Sequence, residues 1–71
     1  MTTRVSPNMM KVWVSTDKAL PYYNHIVTVR VADFAENYTT EGYYDYKKEV
    51  WFTATGDCLN DNVYEWLLEL D

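Results

Sequence analysis

The stretch Val-Trp-Val-Ser-Thr-Asp-Lys-Ala-Leu-Pro at residues 12–21 is the segment around which we expect the rest of the chain to be arranged. It begins as a short apolar strand, in which β-branched residues flank Trp13. Proline fixes its own φ and pushes the preceding residue towards extended geometry, so the turn that follows the strand ends at Leu20 and Pro21. The Ser-Thr-Asp sequence between them can also cap a short helical turn. A first strand is therefore predicted at residues 11–15.

The longest strand signal lies at residues 26–34. Here Val27, Val29 and Val31 alternate with polar or small residues, which is the period of two that a half-buried strand shows. We assign the valines to the core face and the residues between them to solvent. After a hairpin loop, a third strand is predicted at residues 38–46.

A fourth strand is predicted at residues 50–53, and residues 54–62, rich in Gly, Asn and Asp, predict a loop. The last segment has two interpretations, because four apolar residues fall at i, i+3, i+4 and i+7. They are Val63, Trp66, Leu67 and Leu70. This periodicity favours a helix, although a short closing strand is the alternative. The predicted class is α+β: a small curved antiparallel sheet of about four strands with a C-terminal helix.

The length of 71 residues allows one domain with a thin core, since a chain of this size buries only about 60% of its unfolded surface. Residues 1–10 lack periodicity and are predicted to be a flexible lead-in to the domain at 11–71. One cysteine excludes an internal disulfide and suits a reducing compartment. No apolar run approaches the roughly 20 residues that span a bilayer, so we expect a cytoplasmic protein.

Charge is distributed unevenly along the chain. Up to Ala32 there are four basic residues and one acidic residue, whereas from Asp33 onward there are ten acidic residues and two lysines. An acidic half disfavours direct binding to nucleic acid or anionic lipid, because both are negatively charged. It favours a protein partner with a basic surface, including one that normally binds nucleic acid. Net charge also keeps a small protein in solution, and this simpler interpretation needs no partner.

Few residues point to catalysis or metal binding. Cys58 and His25 are each the only residue of their type, and their neighbours supply neither the base nor the orienting group that a catalytic cysteine needs. The oxygen-rich residues 57–62 lack the alternating acids and distal glutamate of a calcium loop. We therefore predict that the protein is not an enzyme, with no catalytic residue, no metal site and no cofactor.

The third strand supplies the best candidate for an interaction surface. Alternate residues of a strand face opposite ways, so its tyrosines cannot all be buried. We assign Tyr44 to the core and expect the opposite face to display tyrosine beside carboxylates. Tyrosine suits interfaces because one end of its ring is apolar and the other is readily hydrated. The predicted partner-binding residues are Glu41, Tyr43, Asp45 and Glu49.

Several short motifs occur in an order typical of one family. They are Trp-Val-Ser and Leu-Pro within residues 13–21, Val27 and Val29, Gly42-Tyr43-Tyr44, Trp51-Phe52, and Trp66-Leu67. This order resembles a small domain-of-unknown-function family that is common in phage and prophage genomes, and the likeness covers residues 13–70. The departures are Asn24 at a usual glycine, Glu65 at a histidine, and Leu68 and Leu70 at closing prolines.

The resemblance implies a compact β fold and an origin in a mobile element, and it brings no activity with it. Combined with the acidic half, it predicts a phage protein that acts by protein–protein binding in the cytoplasm of the host cell. A sharper hypothesis is an acidic inhibitor of a host nucleic-acid-handling or defence complex, of the anti-CRISPR type. The alternative is a structural or assembly protein that forms a homodimer or larger homo-oligomer, through a sheet edge or the stripe at residues 63–70.

Overall fold

Strand pairing organises the whole of the chain that the computed structural model describes, residues 10–70. Six antiparallel strands form one open sheet, in the order β1-β6-β2-β3-β4-β5. The strands are β1 (Met10–Ser15), β2 (Val27–Ala32), β3 (Asn37–Asp45), β4 (Val50–Thr53), β5 (Cys58–Asn60) and β6 (Val63–Leu70). The predicted lead-in at 1–10 lies outside the described residues, except for Met10, which begins β1.

The predicted α+β class and C-terminal helix are wrong. Val63–Leu70 is β6, which pairs with β1 on one side and with β2 on the other. The pairs Arg30–Glu65 and Val31–Val63 leave one extra residue in β6, which is a β-bulge. The bulge turns two apolar residues three positions apart to the same face, and this spacing imitates the periodicity of a helix.

The four strands predicted from alternation correspond to β1 to β4, and the predicted bounds of β4 are confirmed. One strand was missed, because the predicted loop at 54–62 contains β5. β5 is only three residues long, and its ladder with β4 shifts register between Trp51 and Phe52. A strand this short and irregular has no detectable period of two.

The sheet is strongly curled, as the link between β5 and β6 requires. Only Asp61 and Asn62 join these strands, and three Cα–Cα steps span at most ~11 Å. In a flat sheet of this order, four strand spacings would separate them by ~19 Å. Curling closes this gap, so the sheet has an inner, concave face and an outer, convex face.

The concave face holds the hydrophobic core. Its buried members are Val29, Val31, Trp51, Leu59, Val63 and Trp66. Val29 and Val31 are fully buried at the centre, which confirms the assignment of the β2 valines to the core. Tyr44, also assigned to the core, packs against this cluster while partly exposed.

The connection from β1 to β2, residues 16–26, crosses the concave face and covers part of the core. The indole Nε1 of Trp66 donates a hydrogen bond to the carbonyl oxygen of Ala19 at 2.8 Å. The Tyr46 hydroxyl donates to the carbonyl oxygen of Pro21 at 2.6 Å. These partly buried bonds hold an irregular segment over the sheet.

Candidate interaction surface

Glu41 and Tyr43 lie on the convex face, as their alternation along the third strand predicted. Glu41 pairs with Thr28 of β2, and Tyr43 pairs with Phe52 of β4. The Tyr43 and Phe52 rings stack with their centroids 5.8 Å apart and their planes at 24°. The Lys48 ammonium lies 5.4 Å from the Phe52 ring centroid. We call Glu41, Tyr43, Lys48 and Phe52 the β3–β4 patch.

Asp45 stabilises the turn between β3 and β4 through one of its two carboxylate oxygens. Its Oδ1 accepts hydrogen bonds from the backbone amides of Lys47 and Lys48, both at 2.9 Å. Its carbonyl oxygen accepts a further bond from the Glu49 amide at 2.7 Å. Asp45 therefore shapes the hairpin that presents the β3–β4 patch, and its second carboxylate oxygen carries no hydrogen bond among the described residues.

Glu49 lies away from the other three predicted partner-binding residues. It has a φ of 58°, a left-handed conformation that costs a residue other than glycine about 1–2 kcal/mol. It lines a depression of about 340 Å³ together with Tyr44 and Asp61, on the concave side. The structure thus brings Glu41 and Tyr43 together and places Glu49 around the turn from them.

Tyr44 is a packing residue at the rim of this depression. Its ring meets those of Tyr46 and Trp51 edge to face, with centroids 4.9 Å and 5.4 Å away. Burial raises the pKa of the Tyr44 phenol above its ordinary value, and the charge of Glu49 raises it further. The phenol therefore stays neutral, and its environment does not activate it as a nucleophile.

The fold sorts the charged side chains into two halves. Glu65 pairs with Arg30 at 2.7 Å and Glu69 with Lys11 at 3.7 Å, so two carboxylates of the acidic half of the chain are neutralised on β6. The segments 10–32 and 63–70 together carry three basic and three acidic side chains. Residues 33–62 carry seven acidic and two basic side chains, a balance of −5.

A second cluster of side chains on the convex face was not predicted from the sequence. The Arg30 guanidinium lies 3.9 Å from the ring centroid of Trp13, and its Nη1 donates to Glu65 Oε1 at 2.7 Å. Trp13, Arg30 and Glu65 belong to β1, β2 and β6, which are neighbours only because β6 lies between the other two. The sequence carries no signal for this strand order.

The end of the sheet near residues 19–26 contains a groove of about 760 Å³. The ladder between β2 and β6 stops at the pair Val29–Trp66, and beyond it the two strands separate. Leu20 and Leu68 are among the residues that line the groove. The groove depends on this separation of two strands, so local sequence patterns could not predict it.

The remaining predicted features concern chemistry. Among residues 10–70, no three His, Cys, Asp or Glu side chains are grouped so that they could hold a metal ion. Cys58 is exposed on β5, and its thiol donates to Asn60 Oδ1 at 3.3 Å. Over the same residues, no helix is long and apolar enough to cross a membrane.

Comparison with protein-family models found no matching family, and comparisons with curated proteins and with solved structures found no match either. The resemblance to a phage domain family therefore stays a prediction. Asn24 has a left-handed φ of 64°, which asparagine commonly adopts in turns. Function has to be inferred from the surface itself.

Proposed function

We propose that this protein is a non-enzymatic binding protein of a phage or other mobile element. Its acidic half occupies a basic surface on a host nucleic-acid-handling or defence complex and inhibits that complex. The observation that carries the proposal is the separation of charge. The excess of −5 is confined to residues 33–62, while the other two described segments, at +2 and −2, balance each other. A charge that served solubility alone would not need to be concentrated in this way.

The β3–β4 patch supports the same proposal through its chemistry. A stacked Tyr43–Phe52 pair offers a rigid apolar centre, and Glu41 and Asp45 supply carboxylates beside it. Protein interfaces commonly have an aromatic centre and a polar rim. A partner that normally binds phosphates would meet carboxylates here in their place, and complementary charge would speed the encounter.

The test uses the full chain, tagged, to capture partners from a bacterial lysate while salt is raised from low to high. A matched pair of triple variants removes the same amount of charge from two places. The first variant carries Glu41→Gln, Asp45→Asn and Glu49→Gln. The control carries Asp33→Asn, Glu36→Gln and Asp57→Asn, which are exposed acids of the hairpin and loops.

We expect wild type to capture a nucleic-acid-binding complex, with retention falling as salt rises because exposed charges are screened. The control removes charge from the same acidic segment, so it should retain this complex less well than wild type but better than the first variant. The first variant should no longer capture this complex. Equal retention by the first variant and wild type would show that the predicted residues do not form the binding face. Recovery of the bait alone at every salt concentration would remove the proposed function.

A further inference from the structure

The two edges of the sheet differ in how well they are protected against further pairing. β5 is three residues long, shifts register against β4 and has a left-handed residue at Asn60, with φ of 54°. Short, bulged edges of this kind resist the addition of a strand. β1 has six residues, no proline, one charged residue and a ladder with β6 free of register shifts. Among the described residues, no strand lies on its outer side.

Hydrogen bonds identify which backbone groups of β1 face outward. The amide of Thr16 donates to the carbonyl oxygen of Tyr64 at 3.1 Å, which continues the ladder between β1 and β6. Bonding direction alternates along a strand, so even-numbered residues of β1 direct their backbone groups towards β6. The amides and carbonyls of Lys11, Trp13 and Ser15 therefore point to the outer edge.

The usable edge ends before Ser15. The carbonyl oxygen of Ser15 already accepts hydrogen bonds from the amides of Lys18 and Ala19, at 2.9 Å and 3.2 Å. Lys11 and Trp13 remain, each with an outward donor and acceptor. On the concave side, Val12 between them is 39% exposed, and Met10 is 60% exposed. The edge thus combines an apolar strip with backbone groups that have no hydrogen-bond partner among residues 10–70.

We propose that β1 pairs antiparallel with β1 of a second copy of this chain, around a two-fold axis at Val12. Lys11 then lies opposite Trp13 of the second copy, and this pair exchanges both backbone hydrogen bonds. Val12 faces its own counterpart, and Met10 faces Val14. The two sheets join into one continuous sheet, and the exposed apolar strip becomes buried.

Two neighbouring registers are less favourable. A pairing centred on Lys11 would place two ammonium groups directly opposite each other, which is destabilising. A pairing centred on Trp13 would need the carbonyl of Ser15, which the turn already uses. Directly opposite residues must share a face, so registers between these are excluded.

The charge distribution fits a second copy as the partner. The β1 side of the sheet is balanced, because Lys11 and Arg30 pair with Glu69 and Glu65. The side chains that the pairing would bring together on the concave side, Met10, Val12 and Val14, are apolar and carry no charge that salt could screen. Pairing therefore does not depend on low salt.

Lys11→Pro is the decisive variant. Proline at this position removes an outward N–H and leaves the ladder with β6 intact, which is where edge strands tolerate proline. Lys11→Ala is the matched control, since it also removes the ion pair with Glu69. A second variant, Val12→Lys, places like charges against each other at the two-fold axis.

Sedimentation over a wide concentration range gives the mass of each full-length variant, and circular dichroism checks folding. We expect a monomer–dimer equilibrium for wild type and Lys11→Ala that persists at high salt, and a monomer for folded Lys11→Pro and Val12→Lys. Hydrogen exchange of wild type alone should show amide protection at Lys11 and Trp13 that disappears on dilution. This readout needs no variant.

A wild-type monomer at every concentration overturns the proposal, as does a folded Lys11→Pro dimer or a dimer without protection at Lys11 and Trp13. These outcomes are independent of the acidic-surface proposal. Capture of a basic partner should fade as salt rises, whereas self-association through β1 should remain. Either proposal can therefore fail without the other.

Discussion

The two faces of β6 are built from alternate residues of one strand and have opposite characters. Trp66 on the concave side is 5% exposed, and its indole nitrogen is bonded to the connection above it. Glu65 on the convex side forms an ion pair with Arg30, which also covers the ring of Trp13. The concave face is covered by the curl of the sheet and by residues 16–26, whereas the convex side chains are covered only by one another.

The two faces should therefore contribute differently to the stability of this single-layer sheet. The buried residues of the concave face have lost their water and pack closely, so changes there should cost folding free energy. Convex residues remain partly hydrated and can be exchanged at small cost. Side chains of the convex face can therefore change with little effect on folding.

The largest expected difference in the free energy of unfolding is between alanine variants of Trp66, on the concave face, and Trp13, on the convex face. Trp66→Ala should lower the free energy of unfolding by about 3–5 kcal/mol, because it empties core volume and leaves the carbonyl of Ala19 unpaired. Trp13→Ala should cost about 1–2 kcal/mol, the value of a half-buried ring with a cation above it. Denaturant unfolding at low protein concentration measures both. Equal losses would mean that the two faces do not differ in packing.

A smaller loss of the free energy of unfolding is expected from a change at Gly42, where β3 and β4 lie close together in the curled sheet. A Cβ atom at Gly42 would collide with the backbone carbonyl oxygen of Phe52 on the next strand. Gly42→Ala should therefore lower the free energy of unfolding by about 1–3 kcal/mol, since the strands must move apart to admit a methyl group. Thr39→Ala, at an exposed convex position of the same strand, is the control and should change stability by about 0.5 kcal/mol or less. No loss at Gly42 would show that the sheet is not tightly curled there.

The smallest effect is a dependence on pH at the concave rim. The pKa of Tyr44 is raised above its ordinary value by burial and by Glu49, so the folded state retains this proton to higher pH than the unfolded state does. Its contribution to stability is fully present below about pH 10 and is lost as pH rises through the folded pKa. Tyr44→Phe should reduce the loss of stability in alkali.

Thermal unfolding between neutral pH and alkali, compared for wild type and Tyr44→Phe, measures this contribution. Tyr64→Phe, which removes an exposed hydroxyl from β6, controls for the loss of a phenol group. The unfolding temperatures of wild type and Tyr44→Phe should change in parallel with pH near neutrality and converge or cross in alkali. Parallel curves throughout would mean that the raised pKa of Tyr44 has no effect on folding.

Local patterns predicted most of the strands, because alternation is a property of consecutive residues. Val27, Val29 and Val31 needed only their spacing to be assigned to the core. The same rule placed Glu41 and Tyr43 together on one face. It failed for Glu49, because the left-handed residue of a turn reverses the direction of the chain and no alternation continues through it.

Local patterns were enough to assign the strands within residues 11–53, to separate buried from exposed side chains on β2 and β3, and to find the acidic excess of the later half. The position of residues 63–70 as a strand between β1 and β2 depends on the fold, since their bulge imitates a helical stripe. The fold also determines which carboxylates are neutralised and which sheet edge has no partner strand among residues 10–70. These features depend on contacts between residues distant in the chain, and hydrophobic burial in the curled sheet outweighs the local preference of a short segment.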